Sequence, residues 1–290
     1  MLLFSGLSNI PLAESIAHCL DLPLSLAKIE QFPDGETHLE ILSNVSGQSV
    51  VIIQSLSRSA NHHTMELLLF ADALRKKGAT HIAALIPYFA YARQDRDLLM
   101  ALAKTAGIQT LLTLTLHNPD LAQLCPIPLH LLETTAIFEN DIQQRSFDNP
   151  VIIAPDHGSI DRAQSLLTSK NPENFIAFNK KEDLSKQATA LKLLQKINHR
   201  DCLIIDDIVD TGKTLCQTIT LLKTQGAAKI HAYVTHGVLS HQALENISTA
   251  GLSTLTLTDS LLLSAHTKTH PKVRILSVAP LLAKALEENF

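Results

Sequence analysis

Short apolar runs alternate with amphipathic stretches from one end of the chain to the other. Leu2–Ser5, Val50–Gln54, Ile82–Pro87, Leu111–Leu116, Val151–Ala154, Phe175–Phe178, Leu203–Ile205, Ile230–Thr235 and Thr254–Leu257 are each long enough for one buried strand. Helical spacing predicts helices between them, among others over Leu12–Leu20, Met65–Lys77, Ile160–Leu167 and Leu215–Gln225. Apolar runs divided by helices predict an α/β fold of βαβ units, with mostly parallel sheets flanked by helices.

The pattern also repeats. Val50–Ile53 followed by Ala73–Ala84 parallels Cys202–Ile205 followed by Leu221–Ala232, and Thr105–Leu111 parallels Thr249–Leu255. Two pairings in the same order at similar offsets predict two copies of one α/β unit. The expected domains are 1–140 and 141–290, with the last strand or helix free to pack back on the first. The boundary is placed in the polar stretch Glu139–Pro150. The copies diverge after the strand they share: Gln54-Ser55-Leu56-Ser57 in the first stands against Asp206-Asp207 and a threonine-rich turn in the second. Only the second copy is expected to hold a sugar phosphate, with the other substrate in a cleft between the halves.

Composition narrows the class. A chain of 290 residues can bury two real cores, and 46% apolar residues exclude disorder. No apolar run approaches the ~20 residues needed to cross a bilayer. Net charge is −4 without a basic tract, so nucleic-acid binding has nothing to rest on. Cys19, Cys125, Cys202 and Cys216 are scattered without a CxxC pair, which fits small buried residues in a reducing cytosol. Low charge, 18%, leaves apolar surface that favours an oligomer.

The candidate chemistry centres on Asp201–Thr214. An apolar strand delivers Asp206 and Asp207 to its end, and Asp210-Thr211-Gly212-Lys213-Thr214 turns into a helix expected from Leu215. Free N–H groups and the helix dipole at such a turn favour an anion. Carboxylates instead accept hydroxyl hydrogen bonds or hold a divalent metal, so a sugar phosphate suits both halves of the motif. A nucleotide P-loop needs a glycine where Asp207 stands, and is excluded. The plain alternative is a loop with a threonine cap and solvated acids. His62-His63 resembles a metal pair, but adjacent side chains in a strand or turn diverge, and they are read as solvated.

Asp206–Thr214 resembles the ribose-phosphate loop of type I phosphoribosyltransferases. With Phe32-Pro33-Asp34-Gly35-Glu36, Pro87–Arg96, Ala154–Gly158 and Leu276–Leu282, the whole chain is similar to the ribose-phosphate pyrophosphokinase (PRPP synthetase) family. The resemblance implies two tandem phosphoribosyltransferase-like domains, an ATP side before a ribose-5-phosphate side. It implies ATP binding for Phe32, Asp34, Glu36, Arg93, Gln94 and Asp95. It implies ribose-5-phosphate binding for Asp206, Asp207, Asp210, Thr211, Gly212, Lys213 and Thr214. It further implies Mg²⁺ at His117 and Asp156, catalytic contacts from Lys180, His117 and Arg93, and a cytoplasmic, dimer-based homo-oligomer as large as a hexamer.

Two departures qualify that picture. The segment Asp97–Lys104 runs almost directly into helix, without the longer loop tied to ADP and phosphate regulation in the family. Glu182 stands where a mobile-loop arginine is expected, with Lys181 the nearest substitute. A weakly active or regulatory paralogue, and a phosphoribosyltransferase, are the competing readings.

Overall fold

The structure, a computed structural model, describes residues 1–93, 97–166, 174–178 and 197–290. These form two compact units. The first comprises Met1–Glu133 with Asp259–Leu262 and Ser277–Phe290; the second comprises Thr134–Thr258 with Leu263–Leu276.

The first unit is built on a parallel sheet of order β1-β4-β5-β6-β7: β1 (Leu2–Ser5), β4 (Ser49–Ile53), β5 (His81–Ile86), β6 (Thr110–Leu114) and β7 (Leu129–Leu132). Along β4 every residue from Val50 to Ile53 is buried, as a strand covered on both faces requires. One face packs Phe4, Val50, Ile52 and Ile82 against Leu67, Phe70 and Leu74 of α2 (Ala60–Lys76) and Met100 of α3 (Leu98–Ala106). On the other, α1 (Ile10–Cys19) packs on β1 and against α9 (Ala279–Asn289). An antiparallel hairpin, β2 (Ala27–Gln31) and β3 (Thr37–Ile41), stands apart from that sheet.

The second unit has the order β13-β12-β11-β10-β8-β9, all parallel. Its strands are β8 (Val151–Ala154), β9 (Phe175–Ala177), β10 (Asp201–Val209), β11 (Lys229–Gly237), β12 (Thr254–Thr258) and β13 (Val273–Leu276). α6 (Lys213–Thr224) buries Leu215, Ile219 and Leu222 beside Ile204 and Val234, with Ile247 of α7 (Ala243–Ala250) in the same cluster. Phe138 of α4 (Thr135–Gln144) and Ala163 of α5 (Ile160–Ser165) join Leu203, Ile205 and Tyr233 in another. The short α8 spans Ala265–Thr269.

The repeat read from sequence holds strand by strand. Leu2 pairs Val50 and Val50 pairs Ile82; in the second unit Val151 pairs Cys202 and Cys202 pairs Ile230. Farther along, Ala84 pairs Leu111, as Ala232 pairs Leu255.

The expected division at 140–141 falls inside α4, whose Phe138 and Asp141 are buried in the second unit. Asp141 receives both Arg274 nitrogens at 2.7 Å and the Tyr233 hydroxyl at 2.7 Å, tying α4 to β11 and β13. Burial pushes its carboxyl up, but the Arg274 and Tyr233 hydrogen bonds outweigh that and hold it below the ordinary value. Asp141→Ala leaves Arg274 and Tyr233 without their shared acceptor. Arg274 is 37% exposed, so water recovers part of the loss. Urea unfolding should therefore show a loss of about 2 kcal/mol, with Asp141→Ala/Arg274→Met costing less than the summed single variants. A loss below about 0.5 kcal/mol for Asp141→Ala would contradict this clamp.

Candidate active site

β10 does not stop at Ile205. It continues through Val209, with Asp206 opposite Val234 and Ile208 opposite His236. Asp206 and Asp207 thus ride on a hydrogen-bonded strand, where only loop was expected beyond Ile205. Both are buried, at 9% and 6% exposure. One Asp206 carboxyl oxygen accepts from the Asp207 N–H at 2.9 Å. Burial, then the adjacent Asp207 carboxylate, pushes the Asp206 carboxyl well above the ordinary range; Asp156 adds to the same effect.

The turn that follows is held on two sides. Leu239 N–H donates to Val209 C=O and Ser240 N–H to Asp210 C=O, both at 3.0 Å. Gly212 sits in the left-handed region at φ +74, and any Cβ there would lie 2.9 Å from two Ile247 carbons. Helix α6 opens at Lys213, two residues before the expected start, and no side chain caps it. Its first N–H groups therefore lack helical partners, beside the exposed Thr211 and half-buried Thr214.

Asp156 follows β8 and closes a capping box with Ser159: its carboxyl accepts from the Ser159 N–H at 3.2 Å while the Ser159 hydroxyl accepts from the Asp156 N–H. That box closes a 3-10 turn, His157–Ser159, which leads straight into α5, from which Arg162 reaches to 3.8 Å from Asp207. Sequence reading missed Arg162, which has no motif of its own.

In the first unit, Phe32, Asp34 and Glu36 share the tip of the β2–β3 hairpin, all exposed, with Phe32 N–H donating to Glu36 C=O at 2.8 Å. The Phe32 ring meets His38 at 5.5 Å between centroids. Arg93 and His117 are exposed on the loops after β5 and β6, adjacent parallel strands, which puts both at one edge of the sheet. His117 lies three residues past the end of β6, not at its tip. Tyr91 (φ +66) and Thr115 (φ +32) hold left-handed backbone just before them, a cost of order 1–3 kcal/mol each that tends to persist at functional loops. Gln94, Asp95 and Lys180 lie outside the described residues, as do Lys181 and Glu182.

The first unit's counterpart of the acid loop is filled by its own side chains. Gln54 accepts from the Ser8 N–H and hydroxyl and donates to Glu66 at 2.8 Å. Glu66, fully buried on α2, also accepts from the Leu7 N–H. His62 lies 3.7 Å from Glu66, and His63 meets the Ser57 carbonyl at 2.8 Å. Both histidines are half-buried on α2 and partnered, not solvated. Among the described residues no three His, Cys, Asp or Glu converge as a metal cage, and no helix is long and apolar enough to cross a membrane.

Two tandem parallel-sheet domains, the second bearing a buried acid pair before a left-handed glycine turn, define the phosphoribosyltransferase type. Residues 1–109 match the N-terminal domain of ribose phosphate pyrophosphokinase and residues 121–256 the phosphoribosyl transferase domain. The chain is 40% identical over 297 residues to a ribose-phosphate pyrophosphokinase of Maricaulis maris, covering 99% of this chain and 96% of that one. It is 39% identical over 290 residues to that of Granulibacter bethesdensis, covering 96% and 93%. The crystal structure of phosphoribosylpyrophosphate synthetase from Mycobacterium smegmatis aligns with a TM-score of 0.89 at 26% identity, over 100% of this chain and 99% of that one. The chain belongs to the ribose-phosphate pyrophosphokinase family and is an enzyme of that family.

Proposed function

We propose that the protein transfers the pyrophosphoryl group of ATP to the anomeric hydroxyl of ribose 5-phosphate, giving 5-phosphoribosyl 1-diphosphate and AMP. The observation that carries this reading is the loop Asp206–Thr214, where buried carboxylates precede an uncapped helix start. The N–H groups of Thr211 to Thr214, with the Thr211 and Thr214 hydroxyls, hold the 5-phosphate. Asp206 and Asp207 accept the ribose hydroxyls, and Asp210 and Lys213 complete the loop.

ATP is assigned to residues of the first unit. Phe32 offers a stacking face, and Asp34 and Glu36 supply acceptors for the adenine amino group. Arg93 and Gln94 meet the phosphates, where an arginine fork suits phosphate oxygens, and Asp95 is assigned to the same ATP site. The anomeric oxygen attacks the β-phosphorus, and the bond to AMP breaks. Alignment and charge neutralisation by Arg93, His117 and Lys180 do most of the work.

Asp156 supports Mg²⁺ as cofactor: it is a hard oxygen donor near enough to Asp206 to raise its pKa. Mg²⁺ bound through one or two carboxylates and substrate phosphates needs no three-ligand protein cage. Asp156 and His117 are the residues assigned to it, and when bound it would neutralise phosphate charge. The enzyme is read as a cytoplasmic homo-oligomer, a reading supported by exposed Met65, Leu98 and Leu102 on the first unit.

Purified protein with Mg²⁺ and ATP should release AMP only when ribose 5-phosphate is present. Binding of ribose 5-phosphate without AMP release would select the regulatory paralogue that Glu182 raises.

A further inference from the structure

The side chain of Arg162 is 10% exposed, yet neither Nε nor Nη1 has a hydrogen-bond partner. Asp207 Oδ1 lies 3.8 Å from Nη1: within ion-pair range, beyond hydrogen-bond range. A guanidinium this buried ordinarily engages its donors, and two idle ones on one side chain call for an explanation.

The placement supplies it. Strand alternation puts Asp207 on the face of Leu203 and Ile205, which cluster with Ala163 of α5 and with Leu166 just past its end. The Asp156–Ser159 capping box closes the 3-10 turn His157–Ser159, which runs without a break into α5, so Arg162 is delivered by continuous helical backbone and not by a loose loop. Asp207 is itself on the β10 ladder, flanked by the paired residues Asp206 and Ile208. A cation and a carboxylate are thus held face to face from two rigid elements, just short of hydrogen bonding.

We propose that Arg162 is a positioning residue of the sugar pocket: it orients the Asp207 carboxylate against one ribose hydroxyl, and its idle Nη1 donor closes onto that carboxylate when the hydroxyl binds. The proposal rests on the reading that the acid pair accepts ribose hydroxyls. Guanidinium on one side and hydroxyl on the other fix the carboxylate between them, so removing either partner removes most of the effect of the other.

Titration calorimetry with ribose 5-phosphate tests this, using the unmodified protein, Arg162→Gln and Arg162→Lys, with melting curves to confirm folding. Arg162→Gln should weaken binding roughly 10- to 100-fold, with Arg162→Lys between the two. Analogues lacking the 2- or the 3-hydroxyl separate positioning from a merely structural role. For one of them the loss on substitution should shrink to under about threefold. An equal loss for all three sugars, or unmodified binding by Arg162→Gln, overturns the proposal. Should Arg162→Gln not fold, Arg162→Lys carries the same comparison. Failure of the unmodified protein to bind any of the three would overturn the sugar-pocket reading, and this proposal with it.

Discussion

Gly212→Ala should lower kcat/KM for ribose 5-phosphate by roughly 10²- to 10³-fold. Two effects combine at that position. An L-residue held at φ +74 costs about 1–2 kcal/mol of backbone strain. The new methyl would also lie 2.9 Å from Ile247 and 3.4 Å from the Ala243 carbonyl. Ile247 is 1% exposed in the packed core, so it cannot swing aside, and the Ala243 oxygen is backbone. The turn must yield, although the Val209 and Asp210 carbonyls pin it to the loop after β11. A shift of about 1 Å in the N–H groups to which the 5-phosphate is assigned is enough for a loss of this size.

Gly47→Ala is the matched control. Gly47 has nearly the same φ, +72, but no atom stands within 4 Å of its added Cβ. Both variants share the left-handed strain; only Gly212→Ala adds the clash and moves the loop. Steady-state kinetics should therefore separate them, with Gly47→Ala within a few-fold of the unmodified enzyme and a modest drop in Tm for both. Equal kcat/KM in the two variants would show that Gly212 serves backbone conformation alone.

What could be read from the chain follows from where the information lies. The central strands were legible because parallel strands buried on both faces leave continuous apolar runs, as at Val50–Ile53 and Cys202–Ile205. The edge strands β7 and β13 were not: Leu-His-Leu-Leu and Val-Arg-Ile-Leu are half-exposed and interrupted by polar side chains. The extension of β10 through Asp206–Val209 is set by its ladder to β11, and no local propensity favours aspartate in a strand.

The acid loop stood out as a candidate for the opposite reason. The residues assigned to it, Asp206 to Thr214, are contiguous. Arg162 and Glu66 act across the fold, one against Asp207 and the other against Leu7 and Gln54, and nothing in their immediate neighbours marks them. Glu66 and Gln54 also give a physical reason for the functional asymmetry proposed for the repeat. Where the second unit keeps two carboxylates facing a turn, the first closes the corresponding position with internal hydrogen bonds.

Acid destabilisation should depend on His231. This residue is 5% exposed on β11; its Nδ1 meets the Thr254 hydroxyl at 2.7 Å, and Nε2 is buried without a partner. Its ring packs edge-on against Phe147 at 5.1 Å. Burial, then the Arg145 charge, pushes its pKa down to about 4; Asp201 opposes the shift and Lys229 adds to it. The unfolded chain takes up this proton near pH 6.5, the folded protein only near 4. Between those values the unfolded state binds more protons, so the contribution is full above pH 6.5 and is lost progressively as pH falls. From pH 7 to 4.5 the loss is about 2–3 kcal/mol. Asp206 works in the opposite sense, since a raised carboxyl pKa stabilises the fold as pH falls. The His231 contribution is therefore read by difference. Urea unfolding of His231→Gln and the unmodified protein, at pH 7 and pH 4.5, should show the variant losing about 2–3 kcal/mol less over that interval. Parallel losses in the two proteins would place the acid sensitivity elsewhere.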